Sequence, residues 1–386
     1  MRGSAIVESV LVAFFLVFCV AGTLGAASSP PPSSTPSSLP SPSPSLGAVP
    51  SPPPPSPGAV PSPTATLFPV RQNGKWGYID RSGKLVVAPR YETARSMRDG
   101  LAAISLDAKW GYLDATGKQA IGLLFDDVSH MGLDEARDFS EGLAAANDSV
   151  RWGYVDRTGK FVVLPRFAAA RRFSDGLAAV KIQTKWGFID RTGNVVIKPI
   201  YGSAGRFSEG LAAVREFGRY GKWGYVDKSG QVVVKPQWDS VSGEFSPSVG
   251  EFSDGLAAVC FKRQWGFADA TSVTTGAAIE TKFREVLPFS EGLAMFRRSY
   301  DPCGYMDRFG TPVIKERFLA ASRFSEGLAA VKVQEGWGYI DKKGAFVIQP
   351  SFDLAEEFVD GLARVTKGKA QGYVDHKGRL VWPLTE

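Results

Sequence analysis

One short motif recurs through most of this 386-residue chain and limits what the chain can fold into. The stretch "KWGYID" returns with small changes as "KWGYLD", "RWGYVD", "KWGFID" and "KWGYVD", and late in the chain it reads "PCGYMD". Four of the eight spacings between successive copies are 34 residues, and the others are longer. A fixed period of this length is typical of solenoids and propellers. The nine copies are anchored at Trp76, Trp110, Trp152, Trp186, Trp223, Trp265, Cys303, Trp337 and Gln371.

Each unit is predicted to contain three short β-strands. The three runs read "LAAV", "KWGYID" and "LVVAP" or "VVVKP", and they are rich in β-forming residues and bounded by turn residues. A second signature, "FSDGLAAV" or "FSEGLAAV", leads into the first strand. The step between units, such as "RFAAARRFSDG", follows a Pro, ends in a Gly and has apolar residues three apart. This pattern predicts one or two helical turns between units.

The predicted fold is an all-β repeat protein in which residues 67–386 form an open, curved array of about nine three-stranded antiparallel meanders. The alternative is a closed, propeller-like ring. We favour the open array because propellers usually have four to eight blades of four strands. The ends of the chain also show no split unit that would fasten a ring.

The recurring Asp and Gly of each unit are explained by a hairpin turn. Asp80 can bond the backbone two residues on, and Gly83 can supply the left-handed conformation that such a turn requires. The alternative is that these Asp residues are calcium ligands. A calcium site needs six or more oxygens gathered together, and the turn occurs once per unit with no paired carboxylate, so the sequence favours the turn.

The recurring Trp is predicted to be the core between units, because each ring must hide a large apolar area. The neighbouring Gly allows another backbone or ring to approach closely. A row of Trp side chains could instead form a ladder that stacks sugars or other aromatic ligands, and this alternative stays open. The residues assigned to the structural core are Trp76, Trp110, Trp152, Trp186, Trp223, Trp265 and Trp337.

Charged residues cluster at two signatures. Basic residues surround the hairpin turns, as in Lys75, Arg81 and Lys84, whereas the acidic residues fall in the "SDG" and "SEG" turns. If the units stack in register, the molecule is expected to carry a basic edge and a separate acidic edge. The basic edge could attract anionic envelope polymers, or the charges could be solvated turns with weak surface pairs.

The first 66 residues differ from the rest. Residues 1–27 have a charged start, an apolar run from Val10 to Val20 and small residues before Ala27, which indicates a signal peptide cleaved after Ala27. An uncleaved membrane anchor is the alternative, because the apolar length nearly spans a bilayer. Residues 28–66 are almost all Pro, Ser, Ala and Gly, which predicts a disordered linker. The sequence therefore predicts a secreted, periplasmic or cell-surface location.

Beyond the leader, the cysteines are Cys260 and Cys303, in a compartment where a disulfide can persist. Both occupy positions of core residues in other units, so unpaired core side chains are favoured over a bridge. Cys303 replaces a Trp and is expected to fill less of the core of unit 7. A weak joint or a distinctive surface is therefore expected between Trp265 and Cys303.

The pattern "KWGYID..GK.V..P.F...A..FS.GLA.V" resembles the WG (or KWG) repeat family found widely in bacteria. The resemblance covers residues 67–385. It implies a β-rich repeat module, often exported, with no catalytic activity general to the family and no binding residues to transfer. Unit 6 departs from the pattern by lacking the turn Gly, and unit 2 lacks the Pro after its third strand, so the local geometry of those two units is expected to differ from that of the others.

The chain is accordingly predicted to be a non-catalytic, extracytoplasmic binding or scaffold module for an unidentified protein or envelope polymer. We expect no catalytic residues, cofactor, metal or nucleic acid, a monomeric state, and membrane contact only through an uncleaved N-terminal segment. The formal net charge of +6 is mild, and the histidines are His130 and His376. No "HExxH" motif or serine nucleophile elbow occurs.

The alternative function is a cell-envelope enzyme, such as a glycan hydrolase, with its site in a longer insert. The inserts lie in unit 2, "GLLFDDVSHMGLDEARDFSEG", and in unit 5, "PQWDSVSGEFSPSVGEFSDG". Insertions in repeat proteins map to one face of the array, which is often the binding face. Asp126, Asp127 and His130 are the binding candidates there, with ordinary surface polar residues as the alternative reading.

Overall fold

The computed structural model describes residues 66–126, 137–239, 249–270, 278–300 and 302–385. All of them belong to one compact unit, Pro61–Glu386. The predicted signal peptide or anchor and the linker lie outside the described residues. Within the described ranges, no helix has the length and apolar character needed to cross a membrane.

The described residues form nine antiparallel sheets, which we call blades 1 to 9 in chain order. Blades 1 to 3 contain β1 (Phe68–Gln72), β2 (Lys75–Ile79), β3 (Leu85–Tyr91), β4 (Thr93–Ala94), β5 (Leu101–Leu106), β6 (Lys109–Asp114), β7 (Gln119–Asp126), β8 (Ala144–Asn147), β9 (Trp152–Val155) and β10 (Phe161–Phe167). Blades 4 to 6 contain β11 (Ala169–Ala170), β12 (Ala178–Ile182), β13 (Lys185–Ile189), β14 (Val195–Tyr201), β15 (Ser203–Ser208), β16 (Leu211–Arg215), β17 (Trp223–Asp227), β18 (Val232–Trp238), β19 (Leu256–Phe261), β20 (Gln264–Asp269) and β21 (Ile279–Phe283). Blades 7 to 9 contain β22 (Glu285–Val286), β23 (Ala294–Arg297), β24 (Cys303–Met306), β25 (Pro312–Phe318), β26 (Ala320–Ala321), β27 (Ala329–Val333), β28 (Gly336–Ile340), β29 (Phe346–Phe352), β30 (Leu354–Ala355), β31 (Leu362–Lys367), β32 (Ala370–Asp375) and β33 (Leu380–Thr385).

Each blade is one sequence unit, and its strands pair in chain order. Over the described residues, six blades have four strands and blades 1, 3 and 6 have three. We call the strands of a full blade a, b, c and d, so that "LAAV" is b, the Trp-Gly strand is c, and the strand with the Pro is d. The prediction of an all-β repeat protein with one meander per unit is confirmed.

The connection between units is extended, and the predicted helical turns there are wrong. In blade 4, Ala169 and Ala170 form strand a and pair with Lys181 and Val180 of strand b. On either side of this pair, the backbone N–H groups of Ala168 and Arg171 donate to carbonyl oxygens of strand b at 2.8 and 2.9 Å. The free edge of strand b binds the segment, and these sheet hydrogen bonds override the local helical pattern.

The nine blades close into a ring, so the open array is wrong and the alternative, a propeller, is the observed arrangement. We call the junction between blade 9 and blade 1 the seam. There, the Tyr373 hydroxyl of blade 9 donates to the Pro69 carbonyl of blade 1 at 2.9 Å. The Phe68 and Tyr373 rings meet edge to face with centroids 5.6 Å apart. Inside the ring, the Tyr154 hydroxyl donates to the Arg171 carbonyl, which precedes strand b of the next blade, at 2.7 Å.

The seam needs no split blade, which is why the chain ends gave no sign of closure. Blade 9 contacts blade 1 through Tyr373 of strand c, which meets Phe68 and Pro69 of strand b. At seven internal junctions, the aromatic residue that follows the Gly of strand c meets a Phe that precedes strand b of the next blade. The pairs are Tyr112–Phe139, Tyr154–Phe173, Phe188–Phe207, Tyr225–Phe252, Phe267–Phe289, Tyr305–Phe324 and Tyr339–Phe358.

The Gly of the Trp-Gly pair is required by a bulge in strand d. In blade 4, Trp186 pairs with Tyr201 and Phe188 pairs with Ile197, so strand d carries extra residues opposite Gly187. A Cβ atom on Gly187 would lie 2.5 Å from the Ile197 carbonyl oxygen and 2.8 Å from the nitrogen of Pro199. The recurring Gly of strand c and the recurring Pro of strand d therefore lie where the backbones of the two strands approach closely.

The recurring Asp forms the turn between strands c and d. In blade 3, Asp156 Oδ1 accepts hydrogen bonds from the Thr158 hydroxyl at 2.6 Å and from the Thr158 and Lys160 backbone N–H groups at 2.8 and 3.2 Å. Gly159 follows with a φ of 83°. The hydrogen bond from the Thr158 hydroxyl lowers the pKa of Asp156, because it favours the ionised carboxylate.

Candidate functional site

One face of the ring, which we call the turn face, carries the a–b and c–d connections and brings the basic and acidic signatures together. Arg157 in blade 3 forms an ion pair with Asp99 in blade 2 at 2.6 Å. Lys342 in blade 8 pairs with Glu291 in blade 7 at 3.0 Å. The expectation of separate basic and acidic edges is wrong, because antiparallel strands place both connections at the same end of a blade.

The acidic residues of the turn face also join neighbouring blades through the backbone. Asp175 Oδ2 accepts a hydrogen bond from the Gly210 N–H of the next blade at 2.8 Å. At the seam, the Thr66 hydroxyl takes the place of that N–H and donates to Asp360 Oδ2 at 3.0 Å. The turn face is thus used to build the ring. The remaining pairs are Asp99–Gly142, Glu141–Gly176, Glu209–Gly255, Asp254–Gly292, Glu291–Gly327 and Glu326–Gly361.

The Trp residues predicted to form the core lie on strand c, opposite a residue of strand d. Trp152, for example, is 1% exposed and pairs in register with Phe167. In blade 7, the buried Cys303 pairs with Phe318 instead. Trp110, Trp186 and Trp223 are also buried, whereas Trp76, Trp265 and Trp337 are half-buried.

Both cysteines of the ring are buried and unpaired. The Cys303 Sγ atom lies 3.2 Å from the Phe318 carbonyl oxygen, to which it donates. Burial raises the pKa of Cys303 to about 11, and burial also raises the pKa of Cys260. These thiols are therefore protonated at neutral pH and contribute packing volume.

The binding candidates from the unit 2 insert lie at the edge of the described residues or beyond it. Asp126 is the last residue of β7. Asp127 and His130 lie outside the described residues, as does the centre of the unit 5 insert, 240–248. The role of these three residues stays a prediction.

The opposite face, which we call the loop face, carries the b–c and d–a connections and varies from blade to blade. Six of the nine b–c connections have two residues, but that of blade 5 spans 216–222. The longer connection projects aromatic side chains, since Phe217 is 56% exposed and Tyr220 is 84% exposed. The repeat is thus broken on this face by an insertion that the ring itself does not need.

A cleft of about 970 Å³ lies on the loop face between blades 5, 6 and 7. We call it the basic cleft, because its walls carry five basic and two acidic side chains. Trp265 and Tyr220 contribute aromatic surface, and Tyr300 stands beside the cleft with its ring 3.6 Å from the Arg284 guanidinium. The basic residues are Arg219, Lys222, Lys262, Arg263 and Arg284, and the acidic residues are Asp239 and Glu285.

The two carboxylates of the basic cleft are already engaged by the protein. Asp239 binds the Lys222 ammonium and accepts a 2.6 Å hydrogen bond from the Lys262 N–H. The Lys222 hydrogen bond lowers the pKa of Asp239. Glu285 forms an ion pair with Arg297 at 3.0 Å. The cleft therefore offers an excess of positive charge and exposed rings to a partner.

Sequence reasoning missed this cleft, although a signal was present. The spacing from Trp186 to Trp223 is 37 residues, and the three added residues fall within "REFGRYGKWG". The inserts in units 2 and 5 are longer, and the binding site was therefore predicted to lie in them. Trp265, Arg284 and Tyr300 do lie in the stretch from Trp265 to Cys303, where a distinctive surface was expected.

Comparison with protein families supports the repeat assignment. The model of the WG containing repeat matches this chain at residues 76–110, 110–148, 152–185, 186–220, 223–265, 304–336 and 337–369. These matches together cover more than half of the chain. No curated protein sequence matches it.

Solved structures match this chain at low sequence identity. The crystal structure of a eukaryotic initiation factor is 11% identical with a TM-score of 0.58, and the match covers 84% of this chain and 98% of that chain. The structure of BamB from Moraxella catarrhalis is 11% identical with a TM-score of 0.39, covering 82% of this chain and 90% of that chain. The first likeness supports the fold and says nothing about a shared ligand.

Proposed function

This chain belongs to the family of proteins built from the WG containing repeat, and from that premise we propose that it is a non-catalytic, exported binding module. Its partner is an anionic protein or envelope polymer, held in the basic cleft of the loop face. The repeat propeller fold supports a binding or scaffold role, because it presents a broad rigid surface built from repeated units.

The charge of the basic cleft is the observation that carries this proposal. Five basic side chains face two carboxylates there, and both carboxylates already bind cations of the protein. A concave surface lined by one sign of charge concentrates partners of the opposite sign and speeds their association. Exposed rings such as Tyr220 add contact area with little conformational entropy to lose.

The contrast between repeated and inserted residues supports the choice of this surface. The recurring Trp, Gly, Asp and Tyr residues form blades and join them to one another. The connection 216–222 of blade 5 lies outside that scheme, yet it supplies Arg219 and Tyr220 to the cleft. Insertions on one face of a repeat protein are frequently the parts that bind.

Export is proposed from the sequence. A charged start, an apolar run and small residues before Ala27 precede a Pro- and Ser-rich stretch without charge. Such a stretch acts as a spacer because its Pro residues favour extended conformations. The binding ring would then stand away from the membrane or leave the cell.

The proposed partner binding can be tested by capture from envelope extracts. The full chain is compared with a double charge reversal in the cleft, Arg219→Glu with Arg263→Glu. Lys228→Glu with Lys343→Glu is the matched control, because it changes the net charge equally on exposed lysines of the turn face. We expect the cleft variant to bind the partner about tenfold more weakly or worse, which corresponds to a loss of at least about 1.4 kcal/mol of binding free energy.

Salt provides a second test of the same proposal. Binding through the basic cleft should weaken as ionic strength rises, since exposed charges are screened over roughly 10 Å at 0.1 M salt. Equal capture by the cleft variant and the turn-face control would contradict the basic cleft as the binding site. Capture that is insensitive to salt would contradict an anionic partner.

A further inference from the structure

The b–c turn of blade 6 holds two cationic residues in a backbone conformation that favours other residue types. Lys262 and Arg263 form this two-residue turn, with φ values of 49° and 65°. A hairpin turn with positive φ at both positions strongly favours Asn-Gly, because Asn and Gly adopt this conformation at the lowest cost. Blade 1 has that sequence, Asn73 and Gly74, at the corresponding turn. Blade 6 therefore has a strained turn, although blade 1 shows that the fold accepts an unstrained one.

The side chains of this turn are available to a partner. Lys262 and Arg263 are exposed and belong to the wall of the basic cleft. Within the described ranges, neither side chain forms an ion pair with a carboxylate; the bond from Lys262 to Asp239 comes from its backbone N–H. Strained backbone is often retained at binding sites, where the surrounding structure holds it in place. The strain at this turn is therefore explained better by binding than by assembly of the ring.

Three consecutive blades each bring a guanidinium group and an aromatic ring to the basic cleft. The pairs are Arg219 with Tyr220 in blade 5, Arg263 with Trp265 in blade 6, and Arg284 with Tyr300 where blade 6 meets blade 7. In the first and third pairs, the guanidinium lies 5.8 and 3.6 Å from the centre of the ring. The cleft thus repeats one combination of positive charge and flat apolar surface from blade to blade.

The rings at the two ends of this series are open to solvent. Tyr220 is 84% exposed and Tyr300 is 85% exposed, whereas Trp265 is half-buried in the cleft wall. The face of an aromatic ring is apolar and carries partial negative charge. Covering an exposed ring with a flat apolar surface removes that area from water and is favourable. The rings therefore predict a partner that has flat apolar faces as well as negative charge.

An acidic polysaccharide combines both properties in each of its sugars. A uronate sugar has a carboxylate, which matches guanidinium geometry, and one face of its ring presents C–H bonds that can lie on an aromatic ring. An acidic peptide has carboxylates on flexible side chains and no face of that kind. Single-stranded nucleic acid has stacking bases and phosphates, but the proposed export of the chain disfavours it. The polysaccharide is therefore the class of partner that fits the cleft best.

We propose that the basic cleft binds a uronate polysaccharide, with successive sugars lying against blades 5, 6 and 7. The carboxylates would contact Arg219, Arg263 and Arg284, and the sugar faces would cover Tyr220 and Tyr300. The cleft's own carboxylates do not compete for these cations, since they already bind other cations of the protein. This proposal rests on the proposed function, because it names the class of partner that the same cleft holds.

Binding of defined polymers to the full chain, measured by biolayer interferometry, tests the proposal. The probes are polygalacturonate, its uncharged methyl ester, poly-L-glutamate and a thymidine oligonucleotide of similar length. We expect polygalacturonate to bind at least about tenfold more tightly than each of the other three, because it alone combines carboxylates with sugar faces. Failure of polygalacturonate to bind would overturn the proposal, and so would equal or tighter binding of any other probe.

Replacing the exposed rings tests their contact with the sugars. Tyr220→Ala and Tyr300→Ala should each weaken polygalacturonate binding about fivefold or more and leave the binding of poly-L-glutamate unchanged. Phe309→Ala is the matched control, because Phe309 is 82% exposed on the turn face. Full polygalacturonate binding by both tyrosine variants, or an equal loss in the control, would refute the proposed contact.

Exchanging the strained turn separates a binding role from a structural one. Lys262→Asn with Arg263→Gly introduces the turn sequence of blade 1 and should weaken polygalacturonate binding about tenfold or more. The midpoint of thermal unfolding should stay the same or rise, because the strain at φ is relieved. Asp107→Asn with Ala108→Gly makes the same turn in blade 2, where both residues also have positive φ, and should keep full binding. Unchanged binding in the blade 6 variant, or a lower unfolding midpoint, would contradict the proposal.

The same measurements distinguish failure of this proposal from failure of the proposed function. Suppose that polygalacturonate and poly-L-glutamate bind equally and that Arg219→Glu with Arg263→Glu abolishes both. The polysaccharide would then be refuted, while the basic cleft would stand as the surface that binds anions. Full polygalacturonate binding by the same double variant would refute both proposals, since the polymer would then bind outside the cleft.

Discussion

The two faces of the ring use charged residues in opposite ways. On the turn face, Arg157 and Asp99 pair between adjacent blades, and Asp175 binds the backbone of the next blade. On the loop face, the basic cleft gathers more cations than its own carboxylates can neutralise. The recurring charges of a repeat protein can therefore be used up in its assembly, so a binding surface is better sought where the repeat is interrupted.

Glycine substitutions in blade 1 should show the largest difference between the two faces. Gly83 on the turn face and Gly74 on the loop face have similar φ values, 84° and 77°. A Cβ atom on Gly83 would overlap the Val381 carbonyl oxygen of blade 9, whereas none of the atoms near Gly74 lies within 4 Å of its Cβ position. We expect Gly83→Ala to lower the free energy of unfolding by about 3 kcal/mol or more and Gly74→Ala by about 1 kcal/mol.

Urea denaturation of both variants measures this difference. Since the strain at φ is shared, the excess loss in Gly83→Ala reports contact across the seam. Equal losses in the two variants would mean that blade 9 does not touch blade 1 in solution, and the ring would then be open.

Removing a tyrosine hydroxyl should have the next largest effect and tests whether the seam equals an internal junction. Tyr373→Phe removes the hydrogen bond to the Pro69 carbonyl in strand b of blade 1, and Tyr154→Phe removes the bond to the Arg171 carbonyl before strand b of blade 4. We expect each change to cost about 1 kcal/mol, because a largely buried carbonyl loses its partner. Thermal unfolding should show similar shifts for both. A shift confined to Tyr154→Phe would indicate a frayed seam.

The smallest effect is expected from the acid dependence of one turn on the turn face. The pKa of Asp156 is held below its ordinary value of 3.8 by the Thr158 hydroxyl. The stabilisation is therefore fully present above about pH 4 and is lost as the pH falls through the lower, folded-state pKa. Thr158→Val should raise that pKa and reduce the loss of stability between pH 5 and 2, as measured by urea denaturation at each pH. An unchanged pH profile would show that the hydroxyl does not set the pKa.

The units and strands of this fold could be predicted from the sequence, because each recurring residue has a local reason. Asp156 and Gly159 specify a turn, and Gly187 marks a close backbone approach. Closure could not be predicted, since it depends on the angle between neighbouring blades. The extended path of Ala169 and Ala170 was missed because sheet pairing overrides local periodicity.

The candidate sites were harder to predict because each arises from a departure in the pattern. The basic cleft depends on three added residues before Trp223 and on side chains from three blades that meet only in the folded ring. A separate cavity of about 460 Å³ is lined in part by Gly205 and Gly250, which have no side chain to mark it in the sequence. Recurring residues predict the strands and turns of the fold well, but they predict cavities poorly.

The seam without a split blade has a consequence for how such proteins can change. A head-to-tail contact repeated with constant rotation either closes or continues as a filament, in a single chain as in a cyclic oligomer. The Thr385 hydroxyl of the last blade lies 3.3 Å from the Arg71 carbonyl of the first, so these two blades are in contact as neighbours. The chain could therefore start at any blade without changing the order of the blades around the axis. A gene that began at blade 5 and joined blade 9 directly to blade 1 would encode the same circle, and the basic cleft would keep its place in it.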